Sequence, residues 1–439
     1  GMGGTTGNMS PSITAAHKIP TIGTQSWWLR ENKLPTDDSH PLFSEYDIII
    51  VGAGMTGTSC AYHLAKMMEA EQMKPKKVLV VEARQHVSCG ATGRNGGHLW
   101  PRSKSELGDE EYFNFQEHCV RILRDKIKDI EEECEWAETG AVNVARFQDE
   151  IDDWDDFYDV SSDGVEMWNQ QGIKKRIPQI NEDNAIGGVF YKNCGQFYPQ
   201  KFVHSLFNEA KDKVKFLFMT TVDSVEKNDS DFTLHVTQHA NNEFHTGALT
   251  TKTLIHCTNA YVKNLPDYIQ DSIIPFRGQV IITKPTDEKF GLIPHSLAFN
   301  DGFEYLIHRQ KDRRIVFGGM RWVSESKEEH TIDDSDKHPE ISEKLLENLC
   351  EWFPEANIEI ETDWSGIMAN TVDSKPIVGQ LDSQNELIGV AFCGNGMPKS
   401  YGVGESLAHL AVNPLSREIP SCLKPDRFKG GTEGGGKRD

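Results

Sequence analysis

Asp47-Ile48-Ile49-Ile50-Val51-Gly52-Ala53-Gly54-Met55-Thr56-Gly57 is the stretch that decides how this chain is read. Ile48 to Val51 is a short unbroken apolar run, as expected of a strand buried on both faces. A glycine turn follows, and Ser59 to Met68 reads as a helix. Lys74-Pro75-Lys76-Lys77 breaks that helix, and Val78-Leu79-Val80-Val81 makes a second buried strand. The unit has the length that a parallel strand–helix–strand crossover needs. Gly52 allows the tight turn, Gly54 lets backbone approach a pyrophosphate, and Gly57 lets the helix pack close to the strand. The helix N-terminus then offers N–H groups and a positive dipole end to phosphates, and Met55 and Thr56 on the turn belong to the expected cofactor-binding set. Glu82 ends the second strand, where an acidic side chain can accept both hydroxyls of an adenosine ribose. Ala83 and Arg84 follow it and belong to the same expected cofactor-binding set.

Outward from this unit, composition sets limits. The chain has 439 residues and a formal net charge of −21. That surplus argues against a nucleic-acid partner, which clustered Lys and Arg would hold. The length suits about three domains or, equally, two large ones, with enough core to need no disulfide staples. Nine cysteines, none spaced as Cys-x-x-Cys, read as reduced thiols in a reducing compartment. No run of 18 apolar residues exists, so no membrane span is expected, and the N-terminus has neither part of a signal peptide. A cytoplasmic location follows as the expectation.

Residues 1–43 read as a polar arm whose Trp27-Trp28-Leu29 must dock on the body. Tyr112 to Trp136 is an amphipathic helical stretch. The segment from 147 to 185 is acidic and aromatic. Alternation returns at Phe232 to Val236, Val280 to Ile282 and Arg314 to Phe317, and a βα-like unit from Leu387 to Val412 comes late. The charge runs Asp109-Glu110-Glu111 and Glu131-Glu132-Glu133 read as solvated helix faces, so no metal is expected. The tail 429–439 reads as disordered.

FAD and NAD both use the first unit. Gly90-Ala91-Thr92-Gly93-Arg94-Asn95-Gly96-Gly97-His98 follows Glu82 directly. A glycine-dense polar run there can pass its backbone along a long extended cofactor, which favours FAD; the alternative is a flexible surface loop.

Together these segments resemble the FAD-dependent amine and amino-acid oxidases, the superfamily of D-amino-acid oxidase, glycine oxidase and sarcosine oxidase. The Gly-Arg-Asn-Gly-Gly form is most similar to the gamma-glutamylputrescine oxidase branch. Later segments agree in order: Leu254 to Tyr261, Ile274 to Gln279, Trp364 to Asp373, Pro376 to Gly379, Gly394-Asn395-Gly396-Met397 with Gly402 and Gly404, and Pro425 to Phe428. The resemblance implies an α/β fold: a Rossmann-like FAD-binding domain (44–105, 196–275 and 363–428) interleaved with a smaller α+β substrate domain (106–195 and 276–362) on a mixed or antiparallel sheet. It implies that Gly93, Arg94, Asn95, Gly96 and Gly97 line the cofactor, along with Val222, Asn259 and Ala260. Gly394, Asn395, Gly396 and Met397 would set N–H groups and a helix dipole beside the flavin edge that gains charge on reduction. Glycine stands at position 366, where some sarcosine oxidases tether FAD through cysteine, so the implied FAD is non-covalent.

The implied reaction oxidises a C–N bond of an amine or amino acid to an imine by hydride transfer to flavin N5, with oxygen as acceptor and hydrogen peroxide as product. Arg309 is the candidate partner of a substrate carboxylate, or else a surface arginine before a turn. Tyr305, Arg321 and Trp322 are placed along the same wall. His98 either faces the flavin or is a hydrogen-bonded loop histidine. The expected partner is a small-molecule amine or amino acid. Two alternatives stay open: a dehydrogenase with another electron acceptor, and a non-enzymatic flavoprotein serving binding or trafficking.

Overall fold

A computed structural model of the chain describes residues 19–20, 23–34, 41–383 and 385–430. The expected N-terminal arm is therefore described only in part, and the tail beyond Gly430 lies outside these residues. Lys429, placed in that tail, is ordered against Asp382 at 3.0 Å.

The opening stretch forms the centre of an eight-stranded sheet. The strand Phe43–Val51 runs parallel to Val78–Val81 on one side and to Glu243–His256 on the other. Its inner residues Ile48, Ile49 and Ile50 are 3% exposed or less, as a strand covered on both faces requires. The helix Met55–Glu69 lies on one face, with the helices Met397–Val412 and Pro199–Ala210 packed beside it. The strand Glu243–His256 changes partners along its length. Its first part pairs with Phe232–Ala240, and Leu254 to His256 pair with Glu386 to Ile388. The late βα unit thus returns to the first strand's neighbourhood, and the cofactor domain is assembled from distant segments.

A second eight-stranded sheet runs in the order Ile360–Thr371, Ile273–Thr283, Ile315–Gly318, Glu304–His308, Ser296–Phe299, Ala141–Ala145, Gly187–Tyr191, Val165–Asn169. Ser296–Phe299 and Ala141–Ala145 pair in parallel and the other neighbours are antiparallel, so the sheet is mixed. Side-chain alternation divides its faces. Ile281, Phe317, Leu306, Leu297 and Val142 point toward the helix Pro339–Trp352, where Ile341, Leu345, Leu349 and Trp352 cover them. The residues between them, Val280, Tyr305, Ala298 and Asn143, face the cofactor domain.

Two expected boundaries shift. Residues 363–371 pair along the strand Ile273–Thr283, so they extend the second sheet rather than the cofactor domain. The helix Glu110–Asp129 buries Tyr112, Leu123 and Ile127 in the same core as Met55, Leu64 and Leu407. It therefore belongs to the cofactor domain's body, because its apolar stripe finds its partner in the helix Met397–Val412.

Trp27-Trp28-Leu29 docks as expected, on the short helix Trp27–Glu31. Trp28 is fully buried against Tyr198, Val280, Ile307 and Trp364. All nine cysteines are free thiols.

His308, on this second sheet, ties stability to pH. Its Nδ1 accepts from Ile293 N–H at 2.9 Å, and its Nε2 lies 3.0 Å from the Arg313 carbonyl, so the neutral ring fills both roles. Burial pushes it down to about 4 from an ordinary 6.5. The unfolded chain then binds a proton that the folded chain refuses. Stability is complete above pH 6.5 and is lost as pH falls from 6.5 toward 4, by up to about 1.4 kcal/mol per pH unit from this group. Urea midpoints should fall across that window, with a shallower slope in His308→Gln.

Candidate active site

The two sheets enclose a cavity of about 940 Å³. Its nucleotide end is built by the opening turn. Gly52 has φ +105°, and a Cβ there would lie 2.3 Å from the Cys257 carbonyl oxygen. Gly57 lies off the cavity wall and acts in packing: a Cβ would stand 1.8 Å from the Gly52 carbonyl oxygen. The Thr92 hydroxyl accepts from Met55 N–H at 2.9 Å and so holds the glycine-dense run against the helix N-terminus. Glu82 takes Ala53 N–H on one carboxylate oxygen and Arg84 N–H on the other, each at 2.9 Å. Burial pushes this carboxyl above its ordinary value, and the two N–H bonds oppose that rise. Each oxygen keeps lone pairs for hydroxyl donors from the cavity.

Gly52, Gly54, Met55, Thr56, Glu82, Ala83, Arg84, Arg94, Asn95, Gly96, Val222, Asn259, Gly394, Asn395, Gly396 and Met397 all line this cavity. Gly93, Gly97 and Ala260 do not. A Cβ on Gly93 would meet the Ser88 carbonyl oxygen at 2.0 Å, so this glycine serves close packing. Gly97 has φ +86° and is crowded by Phe197 and Trp28. Ala260 is buried in a cluster with Ile367 and Ile388.

Arg94 and Asn95 brace the loop from within rather than reaching outward. The Arg94 guanidinium bonds the Cys89 and Ser365 carbonyls at 2.7 and 3.0 Å. Asn95 takes Gly97 N–H at 2.8 Å and donates to the Thr92 carbonyl at 2.7 Å. Arg84 and Arg94 share the buried Asp334, at 2.7 and 3.4 Å. The docked arm adds to the brace: Ser26 Oγ donates to the Gly93 carbonyl at 2.5 Å, and Trp28 Nε1 to the Asn95 carbonyl at 2.8 Å.

On the far side, Ala391, Cys393 and Gly394 have φ +62°, +57° and +74°, which turns the chain sharply into the sixteen-residue helix Met397–Val412. The helix N-terminus faces the cavity. Lys399 lies buried behind it and donates to Asn395 Oδ1 at 2.7 Å, and Asn395 in turn donates to the Trp100 carbonyl at 3.0 Å. Burial pushes Lys399 down to about 7. Sequence reasoning passed over this brace because a lysine three residues after Gly396 reads as a solvated helix position.

The other end of the cavity lies against the second sheet. Tyr305 stands in a slot of glycines: a Cβ on Gly318 would meet its ring at 2.4 Å, and one on Gly96 at 2.9 Å. The His98 ring packs edge-on to Tyr305 at 5.7 Å, and both its nitrogens are buried without a hydrogen-bond partner. It is thus no hydrogen-bonded loop histidine. Burial pushes it down to about 3, which keeps the imidazole neutral. Trp100, Tyr191 and Asn143 join the wall without having been singled out in the sequence.

Arg309 is a correction. It lies off this cavity, stacked over Trp27 at 4.6 Å and paired with Glu135 and Asp312 at 3.1 and 3.0 Å. It is 6% exposed, so it is not a surface arginine either. The arm explains both facts, because Trp27 and Trp28 cover it. Arg309→Ala should leave KM unchanged and lower the unfolding free energy by about 2 kcal/mol, since Glu135 loses its buried partner but keeps Lys201 and Lys311, each at 3.3 Å. Arg321 and Trp322 also stand off the wall: Arg321 stacks on Phe276 at 4.2 Å, and Trp322 Nε1 donates to Glu304 at 2.6 Å. Among the described residues no group of three or more His, Cys, Asp or Glu could hold a metal ion.

A glycine turn in a parallel sheet, a carboxylate at the end of the next strand and a long cavity ending at a helix N-terminus suit an extended dinucleotide cofactor. FAD fits: the glycine cradle leaves no Cβ in its path, and the buried Thr258 hydroxyl on the wall has no partner of its own. The chain belongs to the FAD dependent oxidoreductase family, whose sequence profile matches residues 47–410. It is similar to gamma-glutamylputrescine oxidoreductase of Escherichia coli (strain K12), 24% identical over 84% of each chain. It is also similar to mitochondrial sarcosine dehydrogenase of Homo sapiens, 21% identical over 94% of this chain but only 45% of that protein. Among solved structures, L-proline dehydrogenase from P. horikoshii superposes with a TM-score of 0.71 at 20% identity, covering 89% of this chain and 99% of that one. Glycine oxidase from Geobacillus kaustophilus gives 0.69 at 18%, covering 85% and 99%. The chain is an FAD-dependent enzyme of the amine and amino-acid oxidase type, and among its described residues no helix is long and apolar enough to cross a membrane.

Proposed function

We propose that the enzyme oxidises the C–N bond of a small amine or amino acid to an imine, with oxygen as the electron acceptor. The supporting observation is the substrate end of the cavity, where neutral His98 and the slotted Tyr305 face the helix N-terminus across a space lined by Gly394 and Gly396. Bound FAD supplies a two-electron acceptor. The amine gives up a hydride from its α-carbon, its nitrogen lone pair closes the C=N bond, and water then hydrolyses the imine to a carbonyl compound and an amine. With oxygen as final acceptor the balance is amine, oxygen and water to carbonyl compound, amine or ammonia, and hydrogen peroxide.

The chain's part is positioning. Tyr305 is fixed by its glycine slot and offers a hydroxyl beside the reacting carbon. His98, uncharged, does not repel a cationic substrate and can accept its N–H. Gly366 lines the cavity, and a side chain there would press on Arg94 Cβ at 2.9 Å, so the cofactor is held without a covalent tether from that place. Acid precipitation should release the flavin into the supernatant.

Anaerobic mixing with a panel of amines and amino acids tests the reading. At least one should bleach the flavin, and air should restore it with one peroxide per turnover. Bleaching with slow reoxidation in air but fast reduction of a dye would make the enzyme a dehydrogenase. A flavin bleached by no member of the panel would defeat the reading.

A further inference from the structure

The substrate end does not close behind Tyr305. A continuous series of aromatic rings leads away from it. Tyr305 meets His98 at 5.7 Å, His98 meets Trp100 at 6.3 Å, and Trp100 meets Tyr191 at 5.4 Å. Tyr191 meets Tyr158 at 6.2 Å, and Tyr158 meets Phe157 at 5.0 Å. Phe157 is 48% exposed, so the series runs from the reaction centre to solvent. Every ring in it lies on the cavity wall.

The outer part of this passage is anionic. Glu150 and Asp153 reach it from the helix Gln148–Phe157, and Asp301 from the turn opposite. Asp153 and Asp301 are exposed and have no cationic partner among the described residues. The cations on the wall are taken or distant. Arg84 and Arg94 belong to Asp334, and Arg102 pairs with Glu106 at 3.4 Å. Lys263 stands at the nucleotide end, beside Asn264, which bonds the Val222 carbonyl at 2.9 Å. With Arg309 buried under the arm, Arg102 faces this passage, tied to Glu106 by a single contact and outnumbered by Glu106, Glu150, Asp153 and Asp301.

A second observation points to a hydrogen-bond donor as the guest. Asn143 adjoins Tyr305 across Ala298 on the sheet floor, and its Oδ1 is buried with no donor. His98 has no partner on either nitrogen, and the one without a proton accepts such a donor. Ring faces and carboxylates together form the surroundings that hold ammonium groups.

We propose that the substrate is a linear di- or polyamine: one amino group reacts beside Tyr305 while the methylene chain lies along the rings, and a distal ammonium sits among Glu150, Asp153 and Asp301. This rests on the amine-oxidation reading above and narrows it to substrates whose far end is cationic.

The test compares 1,6-diaminohexane, n-hexylamine, 6-aminohexanoate and glycine as anaerobic reductants of the holoenzyme at constant ionic strength. The diamine should have a KM at least tenfold below that of n-hexylamine, and 6-aminohexanoate should be the poorest of the three long amines. The double variant Asp153→Asn/Asp301→Asn should raise the diamine KM about tenfold with little change in kcat, closing the gap to n-hexylamine. Equal KM values for diamine and n-hexylamine, a preference for 6-aminohexanoate or glycine, or an unaltered diamine KM in the double variant would each overturn the proposal. Hexamethonium, a dication that cannot be oxidised, separates this proposal from the reading beneath it. Its affinity, followed by the flavin spectrum, should be about tenfold weaker in the double variant; equal affinities overturn the proposal. If none of the amines bleaches the flavin while hexamethonium binds as expected, the amine-oxidation reading fails and the dication site stands.

Discussion

Gly57→Ala is expected to yield a protein that carries less than a tenth of the wild-type flavin per chain, read from the visible absorbance of the purified protein. The added Cβ would stand 1.8 Å from the Gly52 carbonyl oxygen and 2.9 Å from its carbon, both backbone atoms that cannot swing aside. The helix Met55–Glu69 must then lift from the strand Phe43–Val51. Overpacking of that kind costs about 1–3 kcal/mol. The loss of cofactor follows from geometry more than from stability. Ala53 N–H and Glu82 are joined at 2.9 Å, so a displaced turn takes the ribose carboxylate with it. Gly54→Ala is the comparison: within the protein its Cβ meets only the Thr92 hydroxyl at 3.1 Å, so the fold survives, and flavin is lost there because the Cβ stands in the cofactor's path. A Gly57→Ala protein with full flavin content would refute this account of the turn.

Asp334→Ala should be the most destabilising single change, at about 3–5 kcal/mol by urea denaturation. Asp334 is 1% exposed and takes both Arg84 terminal nitrogens, at 2.7 and 2.8 Å, with Arg94 Nε at 3.4 Å. Removing it leaves two guanidinium groups facing each other in the interior. Asp334→Asn keeps the shape and one acceptor oxygen, so it should cost less. Because Arg84 and Arg94 flank the cofactor loop, flavin retention should fall in the same order. A loss under 1 kcal/mol for the alanine variant would show the cluster to be dispensable.

What could be read from the sequence divides along physical lines. The cofactor half was legible because its chemistry is local. A glycine at a left-handed φ, a carboxylate at a strand end and a helix N-terminus each act through backbone a few residues away. The substrate half depends on sheet register between remote strands. Tyr305, Ala298 and Asn143 share one row of the floor only because Ser296–Phe299 pairs with both neighbours. No spacing in the sequence announces that row, so Asn143 and Trp100 went unnoticed. Arg309 was misplaced for the same reason: its neighbours Trp27 and Glu135 come from elsewhere in the chain. Residues 363–371 were assigned to the cofactor domain because the resemblance supplied an order of segments and not their pairing. The amphipathic stripe from Tyr112 identified a helix, but a stripe cannot say which body it will cover.

The docked arm has a consequence for biosynthesis. Ser26 and Trp28 hold the Gly93 and Asn95 carbonyls, Thr24 meets Ser365, and Trp28 packs on Trp364. The arm therefore leaves the ribosome early but cannot seat until position 365 has followed it. At about 5–20 residues per second that interval is tens of seconds. Throughout it, the loop that shapes the flavin site lacks one of its fastenings. Stable cofactor capture is thus deferred until residue 365 has been made, and the nascent chain waits with two tryptophans unsheltered.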